Sequence, residues 1–229
     1  MTLFECQNCR FGTAGIVRGV SALPLRLVVA KAMAEPEVPL TGTDHQILDA
    51  TLELYQAYGS RMSMDDIAVR AKVGRRTVFR RFGSKDGVVE QLVVRELGRM
   101  LQLLRDTAAA AEDPVTGAVE VFVVAVRAVG EHPALDRLAR HEPQVMLDAL
   151  RADDAALLDL MDGFVADRIR SGQRHGTVAL RNPELIAETL VRLVFANLLM
   201  PSRAANSRDE KALRMLARTV ITPLLSVAD

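Results

Sequence analysis

Apolar positions in this chain recur at helical spacing, and strict alternation of the kind a half-buried strand shows is hard to find over a useful length. Ile67, Ala68 and Ala71 make one stripe over two turns, and Val78, Phe79 and Phe82 make a second with arginines between them. Val73-Gly74 interrupts the two, with the glycine supplying turn geometry or an N-cap. Leu213, Leu216, Ala217, Val220, Ile221 and Leu224 fall on one side of a last helix. Punctuation marks the boundaries. Thr43 with Gln46 and Ser63 with Asp66 read as capping boxes, Ser84 as a cap for the next helix, and Ser207 with Glu210 as a further box. Asp113-Pro114 and Asn182-Pro183 each place a cap before a proline at the first helical position. The predicted helices run over 44–58, a short pair within 63–82, a long one over 85–111, then 114–130, 133–140, 143–150, 153–171, 183–200 and 210 onward. Pro201 stops one of them, and Pro223 ends or kinks the last.

Composition agrees with helices packed on helices. Hydrophobic residues make up 49% of the 229 positions, aromatics only 4%, and tryptophan is absent. The most apolar stretch, 114–130, is broken by Glu120 and Arg127, so it reads as a helix buried on nearly all sides and not as a membrane span. A soluble, cytoplasmic protein with no membrane partner is expected. Cys6 and Cys9 form a single Cys-x-x-Cys with no second pair, and the four histidines are scattered, so no metal site and no cofactor are expected. Charged Arg18 and Arg26 break any secretory core in the first residues. Residues 1–40 read as a poorly ordered leader, with Met33 as a natural start.

Charge changes the picture more than composition does. The chain carries 29 basic and 29 acidic residues, yet the stretch from Arg70 to Lys85 holds seven basic residues and no acidic one. A solvated helix face normally interleaves both signs, and this one does not. Two short helices joined by a tight turn form a helix-turn-helix, whose second helix can enter the major groove. Arg75, Arg76 and Arg80 suit that role, because a guanidinium pairs in bidentate fashion with a guanine edge or a phosphate.

The run Ile67-Ala68-x-x-Ala71-x-Val73, followed by Thr77-Val78-Phe79-x-x-Phe82-x-Ser84-Lys85, resembles the DNA-binding signature of TetR-type (TetR/AcrR-like) helix-turn-helix transcriptional regulators. Three positions depart from that pattern: Lys72 replaces a frequent glycine, Gly74 a capping serine or threonine, and Phe79 a tyrosine whose hydroxyl touches a phosphate. The resemblance implies an all-α fold, with a three-helix DNA-binding domain over 41–100 (helix-turn-helix about 63–82) joined to a helical effector-binding and dimerisation domain over 101–229. It implies DNA contacts from Arg75, Arg76, Thr77, Phe79, Arg80, Arg81 and Lys85. Lys85 would meet a phosphate, and Arg80 and Arg81 would stand in for the missing tyrosine hydroxyl. For Thr77, a phosphate or base contact and a bond to its own helix backbone both stay open. Val78 and Phe82 are expected in the core.

The same resemblance implies a homodimer paired through its last two helices on a pseudo-palindromic operator in double-stranded DNA, acting as a repressor released by a small apolar effector of unknown identity. Phe122, Met146, Met161, Phe164, Phe195 and Asn197 are the candidate lining of the effector pocket. Arg127 and Arg192, with Asn197, either orient a ligand or reach the surface or the dimer interface. A DNA-binding regulator without a ligand is the alternative. An enzyme is not expected, since the chain has no nucleophile elbow, phosphate-cradling glycine loop or metal-ligand triad.

Overall fold

The computed structural model describes residues 31–32, 39–200 and 209–227, and among these the fold is all-helical. Cys6, Cys9, Arg18, Arg26, Met33, Pro201 and Ser207 lie outside the described residues. Lys31 and Ala32, within the expected leader, are helical. Lys31 Nζ donates to Glu90 at 2.6 Å.

Helix α1 (Gly42–Tyr58) starts two residues earlier than the Thr43–Gln46 pattern predicts. Its cap is Thr41, whose backbone N–H and hydroxyl both donate to the Asp44 carboxylate at 2.8 and 2.7 Å. A charged acceptor takes those donors more strongly than the neutral Gln46 amide could. A short 3₁₀ turn, Gly59–Arg61, leads to α2 (Met64–Arg70), which opens on the predicted Ser63–Asp66 box. Lys72 then takes φ 52°, with Lys72 N–H donating to Val69 O and Val73 N–H to Ala68 O. This is a Schellman ending, built on a lysine where glycine is the usual residue. Gly74 has ordinary extended geometry and caps α3 (Arg75–Phe82) without a side chain. The left-handed position of the turn is therefore Lys72. Changing Lys72→Gly should raise stability by up to about 1 kcal/mol, the relief of left-handed strain less the extra chain entropy of glycine. Urea unfolding checks it, and a loss of stability would contradict it.

Ser84 caps α4 (Lys85–Ala109) by accepting from Gly87 N–H at 3.0 Å. A Cβ at Gly87 would lie 2.2 Å from the Phe82 carbonyl oxygen, so only glycine lets α3 and α4 meet this closely. The body consists of α5 (Pro114–Glu131), α6 (Pro133–His141), α7 (Pro143–Arg174), α8 (Pro183–Leu199) and α9 (Glu210–Leu225). The predicted segments 143–150 and 153–171 are one continuous helix, α7. The cap of α9 is Asp209, which accepts from Ala212 N–H. Pro223 does not end α9, which runs on to Leu225. The proline falls in the last turn, where few intrahelical bonds remain to be lost, and Leu225 O accepts from Ala179 N–H.

Two apolar clusters hold the chain. The first joins Ile47, Leu48, Ile67, Val78, Val88 and Leu92 of the head to Leu138, Met146 and Leu150 of α6 and α7. The second surrounds α5, where Phe122, Val123 and Val126 meet Ile169, Ile186, Leu213 and Ile221. From Gly117 to Gly130 no residue of α5 is exposed, as its apolar run predicts.

Head and body also meet through a polar junction that the sequence does not announce. Arg95 on α4 has a side chain only 4% exposed. It pairs with Asp49 of α1 at 2.8 Å and with Glu96 at 2.7 Å. The Glu96 carboxylate also lies 3.5 Å from His132 Nε2, at the joint between α5 and α6. Burial alone would raise the Glu96 pKa, but His132, Arg95 and Arg99 outweigh it and hold the carboxyl below its usual value.

Candidate nucleic-acid interface

Helix α3 divides cleanly into two faces. Val78 is fully buried and Phe82 packs half-buried on the head core, both as predicted. Arg75, Arg76, Phe79 and Arg80 are exposed, at the i, i+3, i+4 spacing of one helical face. Phe79 is 63% exposed, a large apolar side chain left in water beside three arginines. Thr77 is half-buried, and among the described residues its hydroxyl makes no hydrogen bond, so the bond to its own backbone is not formed.

The structure sorts the seven basic residues of the window. Arg70 pairs with Glu53, Arg75 with Asp65 at 3.0 Å, and Arg81 with Asp44 at 2.8 Å. Lys72, Arg76, Arg80 and Lys85 have no carboxylate partner among the described residues. The Arg75–Asp65 pair is exposed on both sides, so water screens it and a phosphate can exchange for the aspartate at little cost.

Arg81 differs from what the sequence led us to expect. Its Nη1 donates to both Asp44 oxygens, at 2.8 and 2.9 Å, and to Thr41 Oγ1 at 2.9 Å. The guanidinium is thus held on the cap of α1 and ties α3 to the first helix. The sequence shows an arginine among arginines. Only the fold brings Asp44, 37 positions away, beneath this one. Lys85 likewise has a structural bond, since its ammonium donates to Ser60 O at 3.0 Å. An ammonium has three donors, so this bond leaves it able to meet an anion.

Asp44 is the electrostatic anchor of this joint. Burial alone would raise its pKa, but the Thr41 hydrogen bonds and the Arg81 guanidinium outweigh burial and hold it below the usual value of 3.8. A folded-state pKa below the unfolded one gives stability that is present above the unfolded value and lost as pH falls through the folded one. Arg81→Met should therefore move the acid-unfolding midpoint of the head to higher pH while leaving neutral-pH folding intact. Circular dichroism during acid titration reads this, and an unmoved midpoint would count against the clamp.

Below the head lies a cavity of about 550 Å³ between α4, α5, α7 and α8. Four of the candidate residues, Phe122, Met161, Phe164 and Phe195, line it. Met146 and Asn197 do not. Met146 is buried in the head-side cluster, one helix stretch away, and the Asn197 amide donates to Leu193 O within its own helix at 2.8 Å. Arg127 reaches outward to Glu131 and Glu210, and Arg192 to Glu188 and Asp162, so neither points at a ligand. Sequence reasoning missed Met100, Leu104 and Arg168 on the lining. The signal for Arg168 was present, since it follows Phe164 by one helical turn. Among the described residues no cluster of three or more His, Cys, Asp or Glu could hold a metal ion, and no helix is long and apolar enough to cross a membrane.

Comparison with known proteins agrees with this geometry. Residues 47–92 match the family described as bacterial regulatory proteins, tetR family. Over 47 residues the chain is 45% identical to a Mycobacterium tuberculosis protein named as a mycofactocin biosynthesis transcriptional regulator, MftR. That stretch is 20% of this chain and 24% of the relative, so the likeness spans about a quarter of the curated relative's length. A TetR-family transcriptional regulator from Pectobacterium atrosepticum superposes with a TM-score of 0.61 at 19% identity, covering 82% of this chain and 96% of that one. A TetR/AcrR-family regulator from Thermobifida fusca gives 0.58 at 17% identity, covering 79% and 97%. At such identities the two solved structures speak to the fold, while the match over 47–92 speaks to the domain that carries α2 and α3. Together they assign residues 47–92 to the helix-turn-helix domain of the bacterial regulatory proteins, tetR family, and show that the described chain has the fold of that family's solved transcriptional regulators.

Proposed function

We propose that the protein is a homodimeric repressor which grips a pseudo-palindromic operator through α3 and releases it when a small molecule fills the cavity of the body. The observation that carries this reading is the pair Arg76 and Arg80. Both are exposed on the outer face of α3 and lack a carboxylate partner among the described residues, on a chain whose other window arginines are paired. Phosphate contacts from Lys85 and Arg75 would set the register, and Arg76, Arg80 and Thr77 would read base edges beside the exposed Phe79. One head offers too few contacts for tight specific binding, so two heads about one DNA turn apart are required.

The cavity bears on release because α4 is both a wall of it and the helix that continues from α3 through the Ser84 cap. A ligand shifts the heads only if it binds the two arrangements with different affinity. Selection from a random duplex library should return an inverted repeat. A compound that raises the melting temperature of the free protein should weaken binding to that repeat. Recovery of single half-sites, or ligands that stabilise the protein without touching DNA affinity, would contradict the proposal.

The dimer would form through α8 and α9. Within the chain α8 packs on α7 and α5, and α9 packs on α5, while Leu185 and Met215 stay exposed at 61% and 68%. Leu193 and Leu216, by contrast, are half-buried against the body core, so charges there would disturb the monomer. Met215→Glu or Leu185→Glu should convert a species of twice the 25.0 kDa chain mass into a folded monomer by light scattering. A wild-type monomer at micromolar concentration would end the dimer model.

A further inference from the structure

We propose that the ligand of the body cavity is an apolar organic anion, with its chain inside the cavity and its head group held between Arg105 of α4 and Arg168 of α7. This rests on the effector reading above and specifies its chemistry.

The lining is mostly aliphatic, from Met100 and Leu104 on one side to Phe122 and Met161 on the other. Arg105 of α4 and Arg168 of α7 both lie over one aromatic ring on the cavity wall. The Arg105 guanidinium carbon lies 5.7 Å from the centroid of Phe164, and that of Arg168 lies 5.8 Å from it. Phe164 and Arg168 both line the cavity. Stacking on the ring holds each guanidinium in place, yet a ring quadrupole does not neutralise a charge. Neither arginine has a carboxylate partner among the described residues, whereas Arg170, two positions on, is held by Asp167 and Glu184. Two cations without carboxylate partners at one ring on the cavity wall favour an anion there, which each can meet with charge-assisted hydrogen bonds.

The carboxylates on the lining do not cancel this. Asp113 accepts the Val115 and Thr116 amides as the cap of α5, and Glu112 is exposed to solvent. The Phe164 ring is occupied by the guanidiniums, which disfavours a flat aromatic cation as the occupant. A head group bridging the two arginines would also tie α4 to α7. The α4 helix carries the DNA-binding head at its other end, so the charge of the ligand, and not only its bulk, would set where the head sits.

Calorimetric titration of the full chain without DNA tests this, using dodecanoate, dodecyl phosphate, dodecanol and dodecylamine below their micelle concentrations. At least one of the two anions should bind tenfold or more tighter than the alcohol, with the amine weakest; which anion wins identifies the head group. Arg105→Met with Arg168→Met should erase that preference while leaving alcohol binding unchanged, and Arg168→Lys should retain part of it. Circular dichroism melting confirms that the variants fold. Alcohol or amine binding as tight as both anions, a preference that survives the double change, or no binding by any of the four would overturn the anionic ligand. Release of operator by an uncharged compound alongside such a result would leave the effector reading standing. Failure of the protein to bind any duplex would sink the repressor reading while the titration still decides this one.

Discussion

Alanine at both Arg76 and Arg80 should all but abolish specific DNA binding while leaving the fold untouched. Each side chain is exposed and without an ion pair among the described residues, so its removal costs the native state almost nothing. In the complex each guanidinium that reads a base edge is worth about 1–3 kcal/mol, and its loss relaxes specificity at one base pair. A guanidinium that meets only phosphate behaves differently. Its loss weakens all sequences alike and lowers the salt dependence by about one counterion per contact. Fluorescence anisotropy against the selected repeat, over a range of salt, separates the two. Arg81→Ala is the internal control, because its guanidinium is held by Asp44 and Thr41. It should act mainly through stability. Unchanged affinity in the double variant would refute the assignment of α3 as the reading helix.

The second large effect is expected at Arg95. Its side chain is almost wholly buried and bridges Asp49 of α1 to Glu96 beside His132. Breaking a buried pair by removing one partner typically costs about 3–5 kcal/mol, because the remaining charge stays buried without compensation. Here Glu96 would keep His132 and Arg99, so Arg95→Met should fall toward the lower end of that range. The loss should be felt as loosening of the head against the body. Hydrogen exchange should then speed up in α1 and at the α5–α6 joint before it does in the centre of α5. Arg95→Met that leaves urea stability unchanged would show that the junction is only a solvated contact.

The junction also shows where sequence reading stops. Arg95 lies in the run Val93-Val94-Arg95-Glu96-Leu97 and looks like an ordinary exposed charge of a long helix. Its partner Asp49 lies 46 positions before it, and His132, which meets Glu96, lies 37 positions after it. Nothing local marks them, since none of the three is within capping distance of another. The cavity gives a similar lesson. Phe122, Met161, Phe164 and Phe195 were legible as candidates and do line it, but Met146 was equally apolar and went to the other core. Size and hydrophobicity select what is buried, and they do not select which of two cores receives it.

Helix identity, most caps, the short turn inside the DNA-binding unit and the basic character of α3 were determined by sequence alone. These features depend on contacts over three or four residues: Ser63 with Asp66, Ser84 with Gly87, Asp113 with Val115 and Thr116. Such contacts form whenever the local backbone is helical, whatever the rest of the chain does. Tertiary structure decided which arginines stay unpaired, which apolar side chains border empty space, and which faces of α8 and α9 remain uncovered. Those outcomes rest on ion pairs and packing between residues tens of positions apart. They exist only once the helices have docked, because only docking fixes the distance between charges and the volume left between side chains.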